Sequence, residues 1–439
     1  MAEDVRERLD RAPMGRLQIV AIGLCVVLNA LDGFDVLAIS FAAPGIATEW
    51  GIDRAALGLV LSMELIGMAA GSLALGGLAD RVGRRPVMLL CLVVMAAGMF
   101  GATQSGNVAL LSAVRLFTGL GIGGMLACAN AMVAELANAR SRNLAVALMA
   151  AGYPLGAVLG GSFASFLLVS GDWRDIFLFG GIVTSVFLPM VWLLMPESVS
   201  YLAHARPPGA LERINAILAR MGHDRLDAMP PADEAPPKVS IAALFAPGLV
   251  RTTLLLTLAY FAHIMTFYFV LKWIPKIVVD LGYQPALAGG VLVWANVGGL
   301  AGALLLSLLS WRIAVRSLVV AAMFAAAAMV MAFGQSPESI VALSSLAAAA
   351  GFFNNAAIVG IYAIIAQSFP VSVRAGGTGF VIGVGRAGAA SGPVVAGYLF
   401  SVGFSLPVVA AAMACGPLIG ASALMALRMT GDWNRARRA

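Results

Sequence analysis

Charged residues are scarce in this chain of 439 residues: they make up only 11% of it, whereas hydrophobic residues make up 61% and the mean hydropathy is +0.93. Soluble domains carry roughly one-quarter charged residues, so the composition excludes an ordinary soluble protein. Cysteine is also rare, and its four residues show no paired spacing, which argues against disulfides and against a metal site. We therefore expect neither a metal nor a cofactor.

Long apolar runs are what the sequence has in abundance, and each is long enough to cross a hydrocarbon core of about 30 Å as a helix. The prediction is an all-α polytopic membrane protein with twelve transmembrane helices. The predicted spans are residues 16–43, 55–78, 86–105, 107–136, 143–169, 176–195, 249–279, 286–310, 313–334, 338–368, 375–401 and 404–428.

The basic residues predict the orientation of these spans, because cytoplasmic loops collect Lys and Arg. Of the 28 Lys and Arg residues, 22 lie in the N-terminus, the even-numbered loops and the C-terminus, and only Arg54 and Arg174 lie in odd-numbered loops. Both termini are therefore predicted to be cytoplasmic. The net charge of +6 follows from the same loops, so we expect no nucleic-acid partner.

A single long polar stretch, residues 197–247, divides the spans into two sets of six. Its Pro-rich, charged composition predicts a cytoplasmic linker, with a short amphipathic helix near residues 209–221 that lies at the membrane surface. A shift of 232 residues aligns Gly156 with Gly388 and several further glycines, which indicates an internal repeat. The predicted organisation is an N-terminal six-helix bundle (1–196), the linker (197–247) and a C-terminal six-helix bundle (248–439).

Four charged residues lie deep inside spans of the N-terminal half, away from the span ends: Asp32, Asp35, Glu64 and Arg115. Charged side chains in a membrane normally face a cavity or a counter-charge. At 1.5 Å per residue all four lie roughly 12 to 16 Å deep, and the two aspartates share a helix face. We expect them to couple transport to protons, because the proton affinity of a buried acid changes as a cavity alternates between wet and dry. Which aspartate titrates stays open, as does a role for Asp32 in capping or unwinding the helix at Gly33.

The loop between the second and third spans reads GGLADRVGRRP, residues 76–86. This spacing resembles the loop signature of the major facilitator superfamily, in which the cluster latches the cytoplasmic side in one state. Asp80 can accept hydrogen bonds from a helix N-terminus and pair with arginine. A turn that only supplies positive charge would explain the arginines but not Asp80. The residues assigned to the latch are Gly76, Asp80, Arg81, Gly83, Arg84, Glu135, Arg142 and Arg374.

Cations and aromatic residues, rather than acids, lie in the spans of the C-terminal half. Arg386 is near the midplane, about 18 Å into the eleventh span, where a guanidinium can hold a carboxylate through two parallel hydrogen bonds. Arg386 could instead pair with Glu64, Lys272 could extend to the outer surface, and His263 could be no more than a satisfied hydrogen bonder. The tyrosines could stack on a ring or only pack. The candidate substrate-binding residues are Arg386, Lys272, Tyr260, His263, Tyr268, Asn354 and Tyr362.

Five stretches together resemble the aromatic acid/proton symporter family of the major facilitator superfamily, and the resemblance spans nearly the whole chain. They are DGFD in the first span, the GGLADRVGRRP loop, RLFTGLGIGG in the fourth span, KWIP in the seventh and FPVSVRAGGTGFVIGVGRAGAASGP leading through the eleventh. The resemblance implies a major facilitator fold and proton-coupled uptake of an aromatic carboxylate. It implicates Asp32, Asp35, Asp80, Arg115, Glu135, Arg374 and Arg386 in transport, whereas the roles of Glu64 and His263 rest on physical arguments alone.

The predicted function is therefore a secondary active transporter that imports a benzoate-, hydroxybenzoate- or phenylpropionate-type acid with protons by alternating access across a bacterial inner membrane. A symporter for another organic anion, such as a dicarboxylate, stays open because Arg386 recognises a carboxylate and not a ring. Drug/proton antiport is disfavoured because GAVLGG at 156–161 lacks the proline of the antiporter signature. A membrane sensor would normally carry a soluble signalling domain, and no grouping of nucleophile, base and oxyanion donors indicates an enzyme. The expected partners are a small aromatic acid, protons and membrane lipid, with the protein as a monomer.

Overall fold

Helices account for almost all regular structure in the computed structural model, which describes residues 5–229, 241–335, 338–370 and 373–427. Within these ranges twelve helices are long and apolar enough to cross a membrane, so the prediction of an all-α polytopic membrane protein is confirmed. They are α2 (Arg16–Trp50), α3 (Arg54–Val82), α4 (Arg84–Thr103), α5 (Val108–Leu136), α6 (Arg142–Leu167), α7 (Trp173–Leu194), α10 (Val250–Asp280), α11 (Pro285–Leu309), α12 (Val315–Gly334), α13 (Ile340–Ser368), α14 (Arg374–Ser401) and α15 (Leu406–Ala426).

The first span is longer than predicted. Helix α2 continues through Pro44 to Trp50, seven residues beyond the predicted end at residue 43. A proline removes one backbone hydrogen bond, and helices in membranes tolerate it where neighbouring groups satisfy the freed carbonyl. The helix is also unbroken at Gly33. The alternative in which an aspartate unwinds the helix there is therefore wrong, and Asp32 and Asp35 lie on a continuous helix.

Short helices lie outside the spans: α1 (Val5–Arg11), α8 (Val199–Ala205), α9 (Ala210–Met221) and a single 3₁₀ turn (Ile241–Phe245). Helix α9 is the amphipathic helix predicted near residues 209–221. Its apolar face is not exposed for contact with lipid, because Ile214 and Leu218 are completely buried in the protein. The apolar stripe correctly predicts that one face of α9 is buried. That face packs against protein, however, and not on the membrane surface as the sequence predicted.

The N-terminal segment is bound to the end of helix α5. Arg6 donates hydrogen bonds to the carbonyl oxygens of Ala134 and Glu135 at 2.9 and 2.8 Å. Gln18 is completely buried and donates to the carbonyl oxygen of Leu136 at 2.7 Å. These side chains satisfy carbonyl groups that the last turn of a helix leaves without partners.

The polar stretch after α9 contributes His223 to the same region. Its Nε2 atom lies 3.2 Å from the amide oxygen of Gln18, which can only accept a hydrogen bond, so Nε2 carries the proton. Burial lowers the pKa of the His223 imidazole, and the charge of Arg8 lowers it further, whereas Asp224 opposes the change. We therefore expect a neutral ring at pH 7.

The described residues form two compact units. The first contains 5–38, 63–160 and 171–229, and the second contains 39–62, 161–170, 241–335, 338–370 and 373–427. Within the first unit α4 packs against α5 and α7, and within the second α10 packs against α14 and α15 while α13 packs against α11 and α12. The second unit thus includes the C-terminal ends of α2 and α6 and the start of α3 as well as the last six spans.

Glycines allow the closest helix contacts in both units, and they follow the repeat. In the first unit Gly119 of α5 lies against the backbone of Glu64 in α3, and in the second Gly351 of α13 lies against the backbone of Ala295 in α11. The two contacts differ by 232 and 231 residues, which matches the offset found in the sequence. A Cβ atom at either glycine would overlap a carbonyl group, so the absence of a side chain there permits this helix spacing.

A second glycine contact lies inside the second unit, where the first part of α3 crosses α14. A Cβ atom on Gly58 would lie 2.5 Å from the carbonyl oxygen of Pro393, and one on Gly397 would lie 2.5 Å from that of Arg54. Beside this crossing Arg54 Nη2 is 2.9 Å from Asp280 Oδ2. The start of α3 is therefore held to the end of α10 and to α14 by one ion pair and by close backbone packing.

Candidate proton and substrate site

Arg115 is the centre of a buried polar cluster in the first unit. Its Nη2 atom donates to the Glu64 carboxylate in a short ion pair and to the backbone carbonyl oxygen of Asp35 at 3.0 Å. Its guanidinium also lies over the Phe177 ring, 5.3 Å from the centroid. Arg115 and Glu64 are both completely buried. The structure thus brings together three of the four residues predicted for proton coupling and assigns Glu64 as the ionic partner of Arg115.

The two aspartates of α2 differ from Glu64 because their carboxylates are not hydrogen-bonded. Asp32 is 2% exposed and Asp35 is 0% exposed. Among the residues that the structure describes, no donor bonds to any of their four carboxylate oxygens. Asp35 is nevertheless within electrostatic range of Arg115, Asp32 and Glu64. An ionised carboxylate without a donor is strongly disfavoured in a low-dielectric interior, and a bound proton removes that charge.

Aromatic and cationic residues gather in the second unit, around the contact between α10 and α13. The Tyr260 and Tyr362 hydroxyls lie 2.9 Å apart and their ring centroids 5.5 Å apart. Gly385 of α14 lies directly against the Tyr260 ring, which brings its neighbour Arg386 within electrostatic range of both tyrosines. Tyr260 is buried, Arg386 is half-buried and Tyr362 is exposed. Three of the candidate substrate-binding residues therefore lie together.

Of the remaining candidates of the second unit, three are completely buried and one, Tyr268, is half-buried. His263 and Asn354 are completely buried and in contact with one another, since the ring Nε2 lies 3.0 Å from the Asn354 carbonyl oxygen. Lys272 is also completely buried, so its side chain does not extend to the outer surface as one interpretation of the sequence held. Tyr268 is half-buried and packs edge-on against Phe267, with ring centroids 5.3 Å apart.

The latch residues form several separate contacts. Arg84 Nε donates to Glu135 at 2.9 Å, whereas Asp80 is largely exposed and lies 3.7 Å from Arg84. Arg142 pairs with Asp10 at the end of α1. Of the other residues assigned to the latch, Gly76 lies in ordinary contact with α5, Arg81 accepts a hydrogen bond on its carbonyl oxygen from Tyr201, and Arg374 donates to the carbonyl oxygen of Phe369.

Glu197 has the role that the sequence suggested for Asp80. Its carboxylate accepts hydrogen bonds from the backbone N–H groups of Arg84 at 2.8 Å, Arg85 at 3.2 Å and Ser198 at 2.8 Å. It therefore caps the N-terminus of α4, where Gly83 with φ of +106° provides no side-chain cap. Sequence reasoning missed this acid because it lies 112 residues or more from the groups that it binds in α4. The only signal was an isolated acid just after the sixth span.

We expect Glu197→Ala to lower the free energy of unfolding by about 2 kcal/mol, because it removes the charged cap of α4. Asp80→Ala is the matched control and should lower it by less than about 0.5 kcal/mol, because exposed pairs contribute little. Unfolding in mixed micelles of a mild detergent and dodecyl sulfate measures both. Equal losses for the two variants would contradict the assignment of the cap to Glu197.

No metal centre is built from the residues described: nowhere in those ranges do three or more His, Cys, Asp or Glu side chains lie close enough to hold an ion. The polar residues instead form the two clusters above, one of acids around Arg115 and one of aromatic and cationic residues around Tyr260.

Residues 25–336 match the family model described as Major Facilitator Superfamily, which is more than half of the chain. The chain belongs to the Major Facilitator Superfamily. Proteins of this superfamily are transporters and not enzymes, and the prediction of a multi-pass membrane transporter is confirmed.

Relatives within the superfamily are named for aromatic acids. The chain is 29% identical to the gallate transporter of Pseudomonas putida, over 96% of this chain and 94% of that protein. It is also 29% identical to the 4-hydroxybenzoate transporter PcaK of Pseudomonas aeruginosa, over 96% and 95%. The resemblance to the aromatic acid transporters of the superfamily is confirmed by these matches.

The fold of this superfamily member is also found among solved structures. The crystal structure of a D-xylose-proton symporter superposes with a TM-score of 0.71 over 93% of this chain and 96% of that one. The two sequences are 18% identical, so the likeness establishes the shared fold.

Proposed function

We propose that this protein imports an aromatic carboxylate of the benzoate, hydroxybenzoate or phenylpropionate type together with protons, by alternating access, across a bacterial inner membrane. The observation that carries the proposal is the pair of buried carboxylates, Asp32 and Asp35, that accept no hydrogen bond from the described residues although Arg115 lies beside them. Such acids can bind and release a proton as the polarity around them changes. The names of the relatives support an aromatic acid as the substrate.

The substrate carboxylate would bind in the second unit. Arg386 offers a planar guanidinium beside the Tyr260 and Tyr362 rings, and this combination suits an anion attached to an aromatic ring. Lys272 on α10, which is completely buried, adds a second cation in this unit. The acids for the proton thus belong to the first unit, and the cations for the substrate belong to the second.

The contacts at the start of α3 fit a gate that opens during this change. The crossing of α3 and α14 depends on Gly58 and Gly397, and beside it an ion pair joins Arg54 to Asp280. An exposed ion pair holds helices together with little free energy. In the proposed orientation this gate faces the outside.

Uptake by purified protein in liposomes tests the function. We expect saturable uptake of labelled benzoate, 4-hydroxybenzoate or 3-phenylpropionate when the outside is more acidic than the inside, and little uptake when a protonophore removes the gradient. Liposomes without protein correct for diffusion of the neutral acids. Saturable uptake of a dicarboxylate with none of the aromatic acids would overturn the substrate class, and uptake indifferent to the protonophore would overturn the coupling.

A further inference from the structure

An open groove of about 540 Å³ runs along the surface of the second unit, between α10 and α15. Helix α10 contributes Leu255 and Leu258 to its lining, and α15 contributes residues between Cys415 and Ala426. Leu258 of α10 and Ile419 of α15 are both exposed in it. In a membrane-spanning protein such a groove faces lipid, so its shape and charge decide which lipid fits.

The inside of the groove is suited to hydrocarbon. Its two polar side chains both bond to their own helix: Ser422 Oγ donates to the carbonyl oxygen of Leu418 at 2.8 Å, and Cys415 Sγ donates to that of Ala411 at 3.5 Å. Neither side chain keeps a hydrogen for a ligand, and the other lining residues are Leu, Ile and Ala. The groove can therefore bind an apolar chain but offers little to a polar molecule.

The length of the groove matches one leaflet of a bilayer. Ala426 lies at the end of α15, and Cys415 lies 11 residues earlier on the same helix. At 1.5 Å per residue the groove extends about 16 Å from that end, which is about half of a hydrocarbon core of about 30 Å. In the orientation that the basic residues predict, α15 ends at the cytoplasmic surface. The groove therefore fits an acyl chain of the inner leaflet.

A guanidinium lies at the surface end of the groove. Arg251 is exposed, precedes Leu255 by about one turn of α10, and donates from Nη2 to the carbonyl oxygen of Ala426 at 3.1 Å. Ala426 itself lines the groove. In the part of the chain that the structure describes, no carboxylate lies within ion-pair distance of Arg251. Its remaining N–H groups can bind an anion, and the planar fork of arginine suits a phosphate.

We propose that the groove between α10 and α15 binds phosphatidylglycerol, with an acyl chain along the groove and the phosphate on Arg251. Charge complementarity selects this lipid. Phosphatidylcholine and phosphatidylethanolamine carry a cation in their own headgroup, whereas the phosphate of phosphatidylglycerol has none. Basic sites between helices at the cytoplasmic surface bind anionic headgroups for the same reason. The proposal does not depend on which substrate the protein transports.

Lipid retention by the purified protein tests the proposal. The protein in detergent is mixed with equal amounts of phosphatidylglycerol and phosphatidylcholine that have the same acyl chains, and native mass spectrometry counts the bound molecules. We expect about fivefold more phosphatidylglycerol to be retained, which is the preference that one arginine near the membrane surface provides. Phosphatidylglycerol should also raise the melting temperature more than phosphatidylcholine does. Inorganic phosphate should leave the melting temperature unchanged, because it has no chain to fill the groove.

A pair of arginine variants separates lipid binding from helix capping. Arg251→Gln should reduce the preference for phosphatidylglycerol to near unity. Arg316→Gln is the matched control, because Arg316 also donates to a carbonyl oxygen at the end of α15, that of Met425, but belongs to α12 and does not line the groove. The control should keep the preference of the original protein.

A second pair of variants tests the groove without changing any charge. Ser422→Phe places a ring inside the groove and should lower the retention of phosphatidylglycerol to that of phosphatidylcholine. Ala412→Phe is its matched control, because Ala412 is exposed on the same helix but does not line the groove. Melting temperatures measured without added lipid show that each variant is folded.

Three results would overturn the lipid site. Equal retention of the two lipids by the original protein is the first, and a preference that survives both Arg251→Gln and Ser422→Phe is the second. The third is a preference that Arg316→Gln removes as completely as Arg251→Gln, because the effect would then come from the positive charge at the end of α15 and not from the groove. A rise in melting temperature with inorganic phosphate alone would assign Arg251 to free phosphate instead of a lipid.

Discussion

Asp35→Asn should abolish the accumulation of substrate driven by a pH gradient. Asparagine has nearly the shape of aspartate but binds no proton, so the variant loses one of the two acids that we assign to coupling. With one proton carried per substrate, a gradient of one pH unit supports about tenfold accumulation in the original protein. In the variant the inside concentration should not exceed the outside concentration.

Two comparisons make this experiment specific to coupling. Exchange of labelled for unlabelled substrate across the membrane should persist in Asp35→Asn, because exchange at equilibrium needs no net proton movement. Asp53→Asn is the matched control: this exposed acid accepts a hydrogen bond from the backbone N–H of Ala56 at 2.7 Å, and asparagine caps a helix equally well. If accumulation survives in Asp35→Asn and is lost in Asp32→Asn, then Asp32 carries the proton.

Much of the fold follows from the sequence because lipid leaves few choices. A membrane-spanning segment must satisfy its backbone hydrogen bonds internally, so long apolar runs become helices, and the twelve predicted spans lie close to the observed ones. The predicted end of α2 at residue 43 falls short because the helix continues through Pro44 to Trp50. The burial of α9 in protein was missed because an apolar stripe indicates that a face is buried but not what covers it.

The charged residues of the candidate sites could be predicted from the sequence, because charges inside membrane spans are rare and stand out. The depth count placed Glu64 and Arg115 at one level, and the structure pairs them. Contacts between residues far apart in the chain were not predictable from a single sequence. The hydrogen bond between Tyr260 and Tyr362 joins residues 102 positions apart, and the cap that Glu197 places on α4 depends on how a later segment packs.

The second large effect should come from the buried pair of Glu64 and Arg115. We expect Arg115→Met to lower the free energy of unfolding by roughly 3 to 5 kcal/mol, because it leaves the Glu64 carboxylate buried without its cation. Glu64→Leu should have an effect of similar size, because it leaves the Arg115 guanidinium buried without its carboxylate partner. Both variants should also lose transport, because Arg115→Met removes the guanidinium beside the aspartates and Glu64→Leu removes the carboxylate that holds it there.

A double-mutant cycle separates the ion pair from the packing of its two residues. Replacing two buried charges together by apolar side chains is often neutral for stability, so Glu64→Leu with Arg115→Met should be far more stable than the sum of the single losses implies. The same cycle on the exposed pair of Arg174 and Asp172, 3.1 Å apart, should give a coupling below about 1 kcal/mol. A stable double variant that remains inactive would mean that the charges of Glu64 and Arg115 serve proton coupling rather than folding, whereas additive losses would mean that the two residues stabilise the first unit independently.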